Sequence, residues 1–326
     1  MQALQVQALS PDLSGTAIVD LPPPEPKLGE ALVRVRAASL NFPDLLMTRG
    51  EYQLKPPLPF VPGTDIAAEV VSAPVGSGFV PGDAVVGGTR INGFAEFVTV
   101  EPSALRRKPA AVSFEIAAAF GAAYHTAWVA LVELGKLEPG QWVLVHGAAG
   151  GVGLAAIDLA RALGAKVIAA SASPAKLAVV AREYAPEATL LAKGRFRERV
   201  AGLTGGALAD LVYDPVGGDV FDESTRCVAF GGKLLVVGFT SGRIAEIATN
   251  IPLIKGFSVV GVRAGEYARR FPTRGAAIRD RLLAMLEAGA IRPRVDRVLP
   301  LSRWREGFAA MANREVIGKV VFAPGS

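Results

Sequence analysis

Over residues 1–110 the apolar positions come in short, β-rich runs: EALVRVRAASL, AAEVVSAPV, DAVVGG and AEFVTV. Pro and Gly cluster between the runs, as in LPPPEPKLGE, LKPPLPFVPG and FVPGD, and place turns there. Short strands at this spacing predict a small β-barrel or rolled sheet. Near residue 113 the texture changes. SFEIAAAFGAAYHTAWVALVELGKL is Ala-rich and helical, and predicts two helices meeting near Gly121, with EPGQ as the turn after them. From Gln141 strands and helices alternate. WVLVHG reads as a buried strand, VGLAAIDLARALG as a helix stopped by Gly164, and AKVIAAS as the next strand. ADLVYDP follows as a strand, DVFDESTRCVAF as a helix, then GGKLLVVGF and GFSVVGVRA as strands. This alternation predicts a parallel, doubly wound sheet. The chain then gives a helix (RGAAIRDRLLAMLEAGAI), a strand-like RPRVDRVLPL, a helix over 302–313 and a final strand, GKVVF.

Composition bounds the function. The 326 residues are enough for two domains, and with 51% hydrophobic residues a sizeable core is available. A single cysteine, Cys227, excludes an intramolecular disulfide and fits a reducing compartment. The N-terminus shows no signal-like pattern, and no long uninterrupted apolar stretch occurs, so a cytoplasmic protein without a membrane span is expected. The net charge of +5 favours anionic ligands. The charges are scattered, however, and the densest run, Arg195 to Arg199, contains Glu198. Without a basic stripe interleaved with aromatics, nucleic acid is not the expected partner.

The segment HGAAGGVG, residues 146–153, stands between the strand WVLV and a helix. Glycines there allow a tight turn and close approach of a pyrophosphate, which the helix N-terminus attracts. The spacing departs from plain G-x-G-x-x-G, so a ligand-free turn is the competing reading; the flanking strand and helix favour a dinucleotide. An NAD site places Asp or Glu at the end of the next strand to bind the ribose 2′-hydroxyl. Here VIAASASPAKL puts Ser171, Ser173 and Lys176 there, and the next acid is Glu183. Hydroxyls and an ammonium suit a 2′-phosphate, so NADP(H) is the expected cofactor. Lys176 also admits a reading as a solvated helix residue.

Further ordered motifs are Asn41-Phe42-Pro43-Asp44, PFVPGTD at 59–65, GFAEF at 93–97, AAYHTAW at 122–128, YDPVGGDVFDES at 213–224, GGKLLVVGF at 231–239 and the terminal GKVVF. With the glycine loop they make essentially the whole chain resemble the zinc-free quinone oxidoreductase (ζ-crystallin-like) branch of the medium-chain dehydrogenase/reductase superfamily. The resemblance implies an α/β fold: a GroES-like β-rich catalytic domain, split in sequence around an inserted Rossmann domain. Its expected boundaries are 1–120, 121–262 and 263–326. Zinc-containing relatives carry a Cys near position 41, a His after the Pro-Gly of 62–63 and a four-Cys lobe; here Asn41 and Thr64 hold those two places and the lobe is absent. One Cys and two His, His125 and His146, cannot form a Cys-rich or Cys/His site, so no metal is expected.

Without zinc, the substrate must accept hydride readily, as quinones and conjugated carbonyls do. The expected reaction is hydride transfer from NADPH to a quinone. Reduction of activated C=C bonds (alkenals, enones, enoyl-CoA) is the alternative, one-electron quinone reduction stays open, and a non-enzymatic NADPH- or RNA-binding role, known among relatives, is a further reading.

By resemblance, Asn41 and Asp44 line the cleft below the nicotinamide, Asn41 as donor to substrate or cofactor amide. The local sequence equally allows an Asx turn or cap for Asn41 and a first-turn helix acid for Asp44. Tyr52, in the loop after that helix, reads either as a group that stacks on a quinone or donates a proton, or as a surface aromatic. Thr126 matches a nicotinamide contact, and Gly150, Gly151, Val152 and Gly153 match the pyrophosphate turn. Ser171 and Lys176 face the 2′-phosphate. Gly238, Phe239 and Thr240 end a late strand at the carboxyl edge, with Phe239 either against the nicotinamide or in the core. Lys319 matches a cofactor contact or is a solvated strand Lys. TLLAKGRF at 189–196 lacks the Asn-Tyr pair of many relatives, leaving Lys193 or Arg195 to meet the phosphate, and His125 stands where Gly is frequent. Arg263, Arg269 and Arg270 read as a solvated loop or a basic entrance for a CoA substrate. A homodimer is implied, with LIKGFSVVGV at 253–262 as the candidate edge.

Overall fold

A computed structural model describes residues 1–325. The chain begins with strands β1 (Gln2–Val6), β2 (Thr16–Asp20) and β3 (Ala31–Ser39), then helix α1 (Phe42–Arg49). Strands β4 (Asp65–Ser72), β5 (Ala84–Gly88), β6 (Phe97–Val100) and β7 (Leu105–Arg107) lead to helix α2 (Phe114–Trp128). The alternating part is β8 (Trp142–Val145), α3 (Gly151–Ala162), β9 (Lys166–Ser171), α4 (Pro174–Tyr184), β10 (Ala188–Leu191), α5 (Arg197–Leu203), β11 (Ala209–Asp214), α6 (Gly218–Ser224) and β12 (Val228–Val236). It ends with α7 (Asn250–Lys255), β13 (Ser258–Gly261), α8 (Ala264–Arg270) and α9 (Pro272–Glu287). Last come β14 (Val295–Pro300), α10 (Trp304–Ala312) and β15 (Lys319–Ala323).

Two compact units result. One is Met1–Ala122 with the chain from Pro293 on; the other is Ala123–Arg292. The sequence reading put the second crossing at 262/263, and the structure puts it at 292/293. The reason is local: Tyr267 of α8 donates its hydroxyl to Glu133 Oε2 at 2.8 Å, tying the α8 region to the segment after α2.

In the first unit, a seven-stranded sheet runs β14-β15-β3-β4-β5-β7, with β6 also paired to β3. β3 has two register shifts against β4, so its first half pairs with β6 and its end with β15. The buried face of β3 is Ala31, Val33 and Val35, alternating with Arg34 and Arg36 as a half-buried strand requires. Helix α10 lays Phe308 against Phe322 of β15, with Trp304 edge-on to Phe308, and Phe94 also packs edge-on to Phe322, ring centroids 5.2 Å apart. Each such buried aromatic contributes about 1.5–3 kcal/mol of transfer free energy.

In the second unit, six strands run β10-β9-β8-β11-β12-β13, all parallel. Chain order reverses at β8, which lies between β9 and β11, the position where doubly wound sheets bind ligands. DVFDESTRCVAF is not one helix. Cys227 N–H closes a turn on Ser224 O at 2.8 Å, and Ala209 N–H then takes Cys227 O, so Val228 starts β12 beside β11.

Nor does Gly121 divide α2, which runs unbroken from Phe114 to Trp128 and continues as a π-helix to Leu134. A Cβ at Gly121 would lie 2.7 Å from Asp65 Oδ1, so the glycine admits a carboxylate rather than a kink. The stretch Phe114–Leu134 is long and apolar enough to span a bilayer, but 56% of it is buried inside the protein, as a core helix would be.

Candidate active site

Strand pairing assembles a polar cluster in the first unit. β3 is antiparallel to both β4 and β15, and Ser39 at its end pairs with Asp65 and with Val321. The residues following β3, those opening β4 and those opening β15 therefore share one end of the sheet. They include Asn41, Thr64, Asp65 and Lys319. Lys319 is 6% exposed, and its ammonium donates to Asn41 Oδ1 at 2.5 Å. Asn41 Nδ2 donates to Asp65 Oδ2 at 3.0 Å and to Thr64 Oγ1 at 3.1 Å. Asp65 also accepts the Ala122 N–H at 3.1 Å. An ammonium only donates and a carboxylate only accepts, so the amide orientation of Asn41 is fixed by its neighbours. Both amide hydrogens are thereby engaged inside the protein in this arrangement. Asn41 is also the N-cap residue of α1, in a capping box with Asp44.

The reciprocal bond of that box comes from Asp44, which is fully buried. Its Oδ2 accepts the Asn41 N–H at 2.8 Å and its Oδ1 the Gly63 N–H at 3.1 Å. Asp44 is thus the first-turn acid that the sequence allowed, and it also pins the Pro62-Gly63 turn that presents Thr64. Burial pushes its pKa up to about 7, against the opposing effect of the two N–H groups. Burial likewise lowers the pKa of Lys319, with Asp65 and Asp44 opposing. Tyr52 lies elsewhere in this unit, packed against the small cluster of Val6, Met47 and Phe60.

The second unit carries the nucleotide features. After β8, Gly147 turns with φ 59°, and Gly150 N–H closes on Gly147 O at 2.9 Å. Gly150 then opens α3 in an extended conformation, so the N–H groups of Gly151, Val152 and Gly153 form its first turn and have no intrahelical acceptor. A Cβ at Gly153 would lie 2.2 Å from Gly147 O, so only glycine allows the helix this close to the turn. This turn of unpaired N–H groups, half-buried at Gly151 and Val152, is a cradle fit for a pyrophosphate.

Ser171 ends β9 and accepts the Ser173 N–H on its Oγ at 3.2 Å, and Ser173 Oγ accepts the Lys176 N–H at the start of α4. Ala192 N–H donates to Ser171 O at 2.9 Å, so the loop carrying the exposed Lys193 and Arg195 begins beside Ser171. Past β12, the N–H groups of Val237 and Thr240 bond Asp214 O and Pro215 O, holding Gly238, Phe239 and Thr240 alongside the end of β11. Phe239 is 41% exposed, so it is not a core residue. Thr126 is half-buried on α2. His146 is fully buried: its Nε2 is 2.8 Å from Ser224 Oγ, and burial lowers its pKa to about 3. It is a structural, neutral imidazole.

Sequence reasoning passed over Thr64 and Asp65 as site residues, although both lie in the quoted PFVPGTD motif. Among the described residues, no group of three or more His, Cys, Asp or Glu side chains is placed to hold a metal ion.

Comparison with known proteins agrees with this division. Residues 27–110 match the alcohol dehydrogenase GroES-like domain, and residues 151–278 match the family described as zinc-binding dehydrogenase. A quinone oxidoreductase-like protein 2 homolog of Nematostella vectensis is 39% identical over 303 residues, covering 90% of this chain and 82% of its own. The chain belongs to the quinone oxidoreductase branch of the medium-chain dehydrogenase/reductase superfamily. It is an oxidoreductase of that type, with a GroES-like first unit and a Rossmann-like second unit. A probable oxidoreductase from Mycobacterium abscessus superposes with TM-score 0.90 at 38% identity, covering 99% of both chains. Escherichia coli quinone oxidoreductase, solved in complex with NADPH, superposes with TM-score 0.89 at 27% identity, covering 99% of this chain and 100% of its own.

Proposed function

We propose that this oxidoreductase is an NADPH-dependent, zinc-independent reductase of quinones. The observation that carries the reading is the bond from Lys319 to Asn41 Oδ1. At the two places where zinc-containing relatives hold metal ligands, this chain has an amide and a hydroxyl bonded to each other, with a buried ammonium behind them. That donor set suits an oxygen that gains negative charge, and an ammonium there disfavours a divalent cation.

NADPH supplies the hydride. Gly151, Val152 and Gly153 bind its pyrophosphate through backbone N–H groups, and Gly150 shapes the turn that presents them. Ser171 and Lys176, helped by Lys193 or Arg195, bind the 2′-phosphate in place of the acid that an NAD site uses. Gly238, Phe239, Thr240 and Thr126 contact the nicotinamide end. Lys319 serves the acceptor side through Asn41 instead of gripping the cofactor. Asp44 holds the Pro62-Gly63 turn. The enzyme works as a cytoplasmic homodimer.

The test is NADPH oxidation by purified protein, with and without a chelator, against panels of quinones, enones and enoyl-CoA thioesters, with NADH alongside. Chelator-resistant turnover of quinones with NADPH is expected. Turnover confined to enones or thioesters would move the assignment to activated C=C reduction, and equal use of NADH would remove the 2′-phosphate reading.

A further inference from the structure

We propose that Thr64 is the group that hydrogen-bonds the acceptor's carbonyl oxygen, at the outer end of a donor chain running from Lys319 through Asn41. The inference rests on the reading of the site as one that reduces a conjugated carbonyl. Each link has a fixed direction. The Lys319 ammonium donates to Asn41 Oδ1 at 2.5 Å, and Asn41 Nδ2 donates to Thr64 Oγ1 at 3.1 Å. Thr64 Oγ1 therefore accepts, and its own hydrogen has no acceptor among the described residues. Exposure follows the same order: Lys319 is buried, while Asn41 and Thr64 are partly open.

Hydrogen bonds in series polarise one another, and a chain that starts at a buried cation makes its last O–H a better donor. Such a donor interacts more strongly with the oxyanion that forms than with the neutral carbonyl, which is the requirement for lowering a barrier. As hydride adds to a quinone, the electron pair moves onto a carbonyl oxygen. Thr64 stabilises that oxygen and keeps its own proton, and the proton that completes the hydroquinone comes from water.

Thr64→Val removes the hydroxyl with little change of shape. Thr89 N–H bonds the backbone oxygen of Thr64, and Asn41 Nδ2 keeps Asp65, so the fold does not depend on Oγ1. Two readouts test the role. The first needs no turnover: 4-nitrophenol is bound as an oxyanion mimic, and its ionisation is followed by absorbance. The bound phenol's pKa is expected to rise by about one unit in Thr64→Val and to return in Thr64→Ser, a tenfold change in the ionisation constant. The second is turnover of 1,4-benzoquinone, where kcat is expected to fall about a hundredfold in Thr64→Val with NADPH affinity unchanged. Equal ionisation of the probe in wild type and Thr64→Val, or no binding of it to wild type, overturns the proposal. Thr64-dependent ionisation in a protein that reduces no quinone or enone would keep the donor and discard the reductase reading.

Discussion

Lys319 Nζ lies 2.5 Å from Asn41 Oδ1, and this bond determines which end of the Asn41 amide meets Thr64 and Asp65. In Lys319→Met the amide loses that constraint, and Asp65 and Asp44 lose the cation that opposes them. Removing a buried cation that faces two buried carboxylates leaves their charge less balanced and destabilises the fold. Lower stability in denaturant titration is expected, with a reduced kcat and a KM for NADPH that stays within about twofold of wild type, since uniform binding would be unchanged. A large rise in that KM with kcat preserved would instead make Lys319 the cofactor contact suggested by its place in GKVVF.

Two glycines of the nucleotide turn should respond differently to a methyl group. At Gly153 the new Cβ would meet Gly147 O at 2.2 Å, while at Gly150 the nearest atom is that oxygen at an ordinary 3.4 Å. Gly153→Ala must therefore open the turn, with a loss of more than about 2 kcal/mol in stability and of most NADPH affinity. Gly150→Ala should cost less than about 1 kcal/mol, the scale of a changed helix N-cap. Thermal unfolding and NADPH fluorescence titration of the pair give the comparison, and equal effects would contradict the turn geometry.

Cofactor choice follows from the end of β9. Ser171→Asp would place a carboxylate beside the position expected for the 2′-phosphate, and Lys176→Ala would remove a cation from the first turn of α4. The Ser171→Asp variant should bind NADH more tightly than NADPH, reversing the wild-type order, while Lys176→Ala should weaken NADPH and leave NADH unchanged. Dissociation constants for both cofactors check this, and a wild type that prefers NADH would refute it.

What the sequence revealed and what it hid have separable causes. The parallel sheet was legible because each buried strand, such as WVLV or AKVIAAS, is bounded by Gly or by a helix pattern. The glycine turn was legible because its chemistry is local. Gly121 misled because a helical glycine usually weakens a helix, whereas here it makes room for Asp65, which is far away in the chain. The polar cluster was only partly legible for the same reason. Asn41 and Lys319 were recognised one at a time, but they are 278 residues apart in sequence and meet only through the pairing of β15 with β3. Thr64 stood out only as the residue in place of a zinc ligand, and its bond to Asn41 shows only once the fold brings the two together.

Two buried groups give opposite pH dependences. Asp44 has a pKa of about 7 in the folded chain against 3.8 in the reference state, so the fold binds its proton more tightly. Its contribution to stability is full below about pH 4 and is lost as pH rises through 7. His146 has a folded pKa of about 3 against 6.5, so its contribution is present above pH 6.5 and is lost as pH falls through 3. Between these limits each group changes stability by at most about 1.4 kcal/mol per pH unit, with opposite sign. On acidification from pH 7 to 4, Asp44→Asn should lose stability more steeply than wild type, and His146→Gln less steeply. Urea titrations at intervals of pH test both, and parallel curves for all three proteins would remove the assigned shifts.

Strand β13 ends the order of the second unit's sheet and pairs only with β12, so its outer backbone groups have no neighbouring strand among the described residues. Around it Phe230, Leu253, Ile254 and Val259 are all exposed. An uncovered edge with apolar side chains on a stable fold invites pairing with another copy, and a two-fold axis would let β13 pair with β13 and extend the sheet across both chains. A stable contact needs about 1,000 Å² of buried area, which the strand alone cannot supply, so the apolar side chains beside it must take part. Light scattering should therefore give wild type twice the chain mass of 33.9 kDa, and Val259→Lys combined with Leu253→Lys should give the single-chain mass. Both substitutions are at exposed positions, so the melting behaviour of the isolated fold and NADPH binding by the second unit should survive. A double variant that remains dimeric would move the interface away from β13, and a wild type that is monomeric at micromolar concentration would remove the dimer altogether.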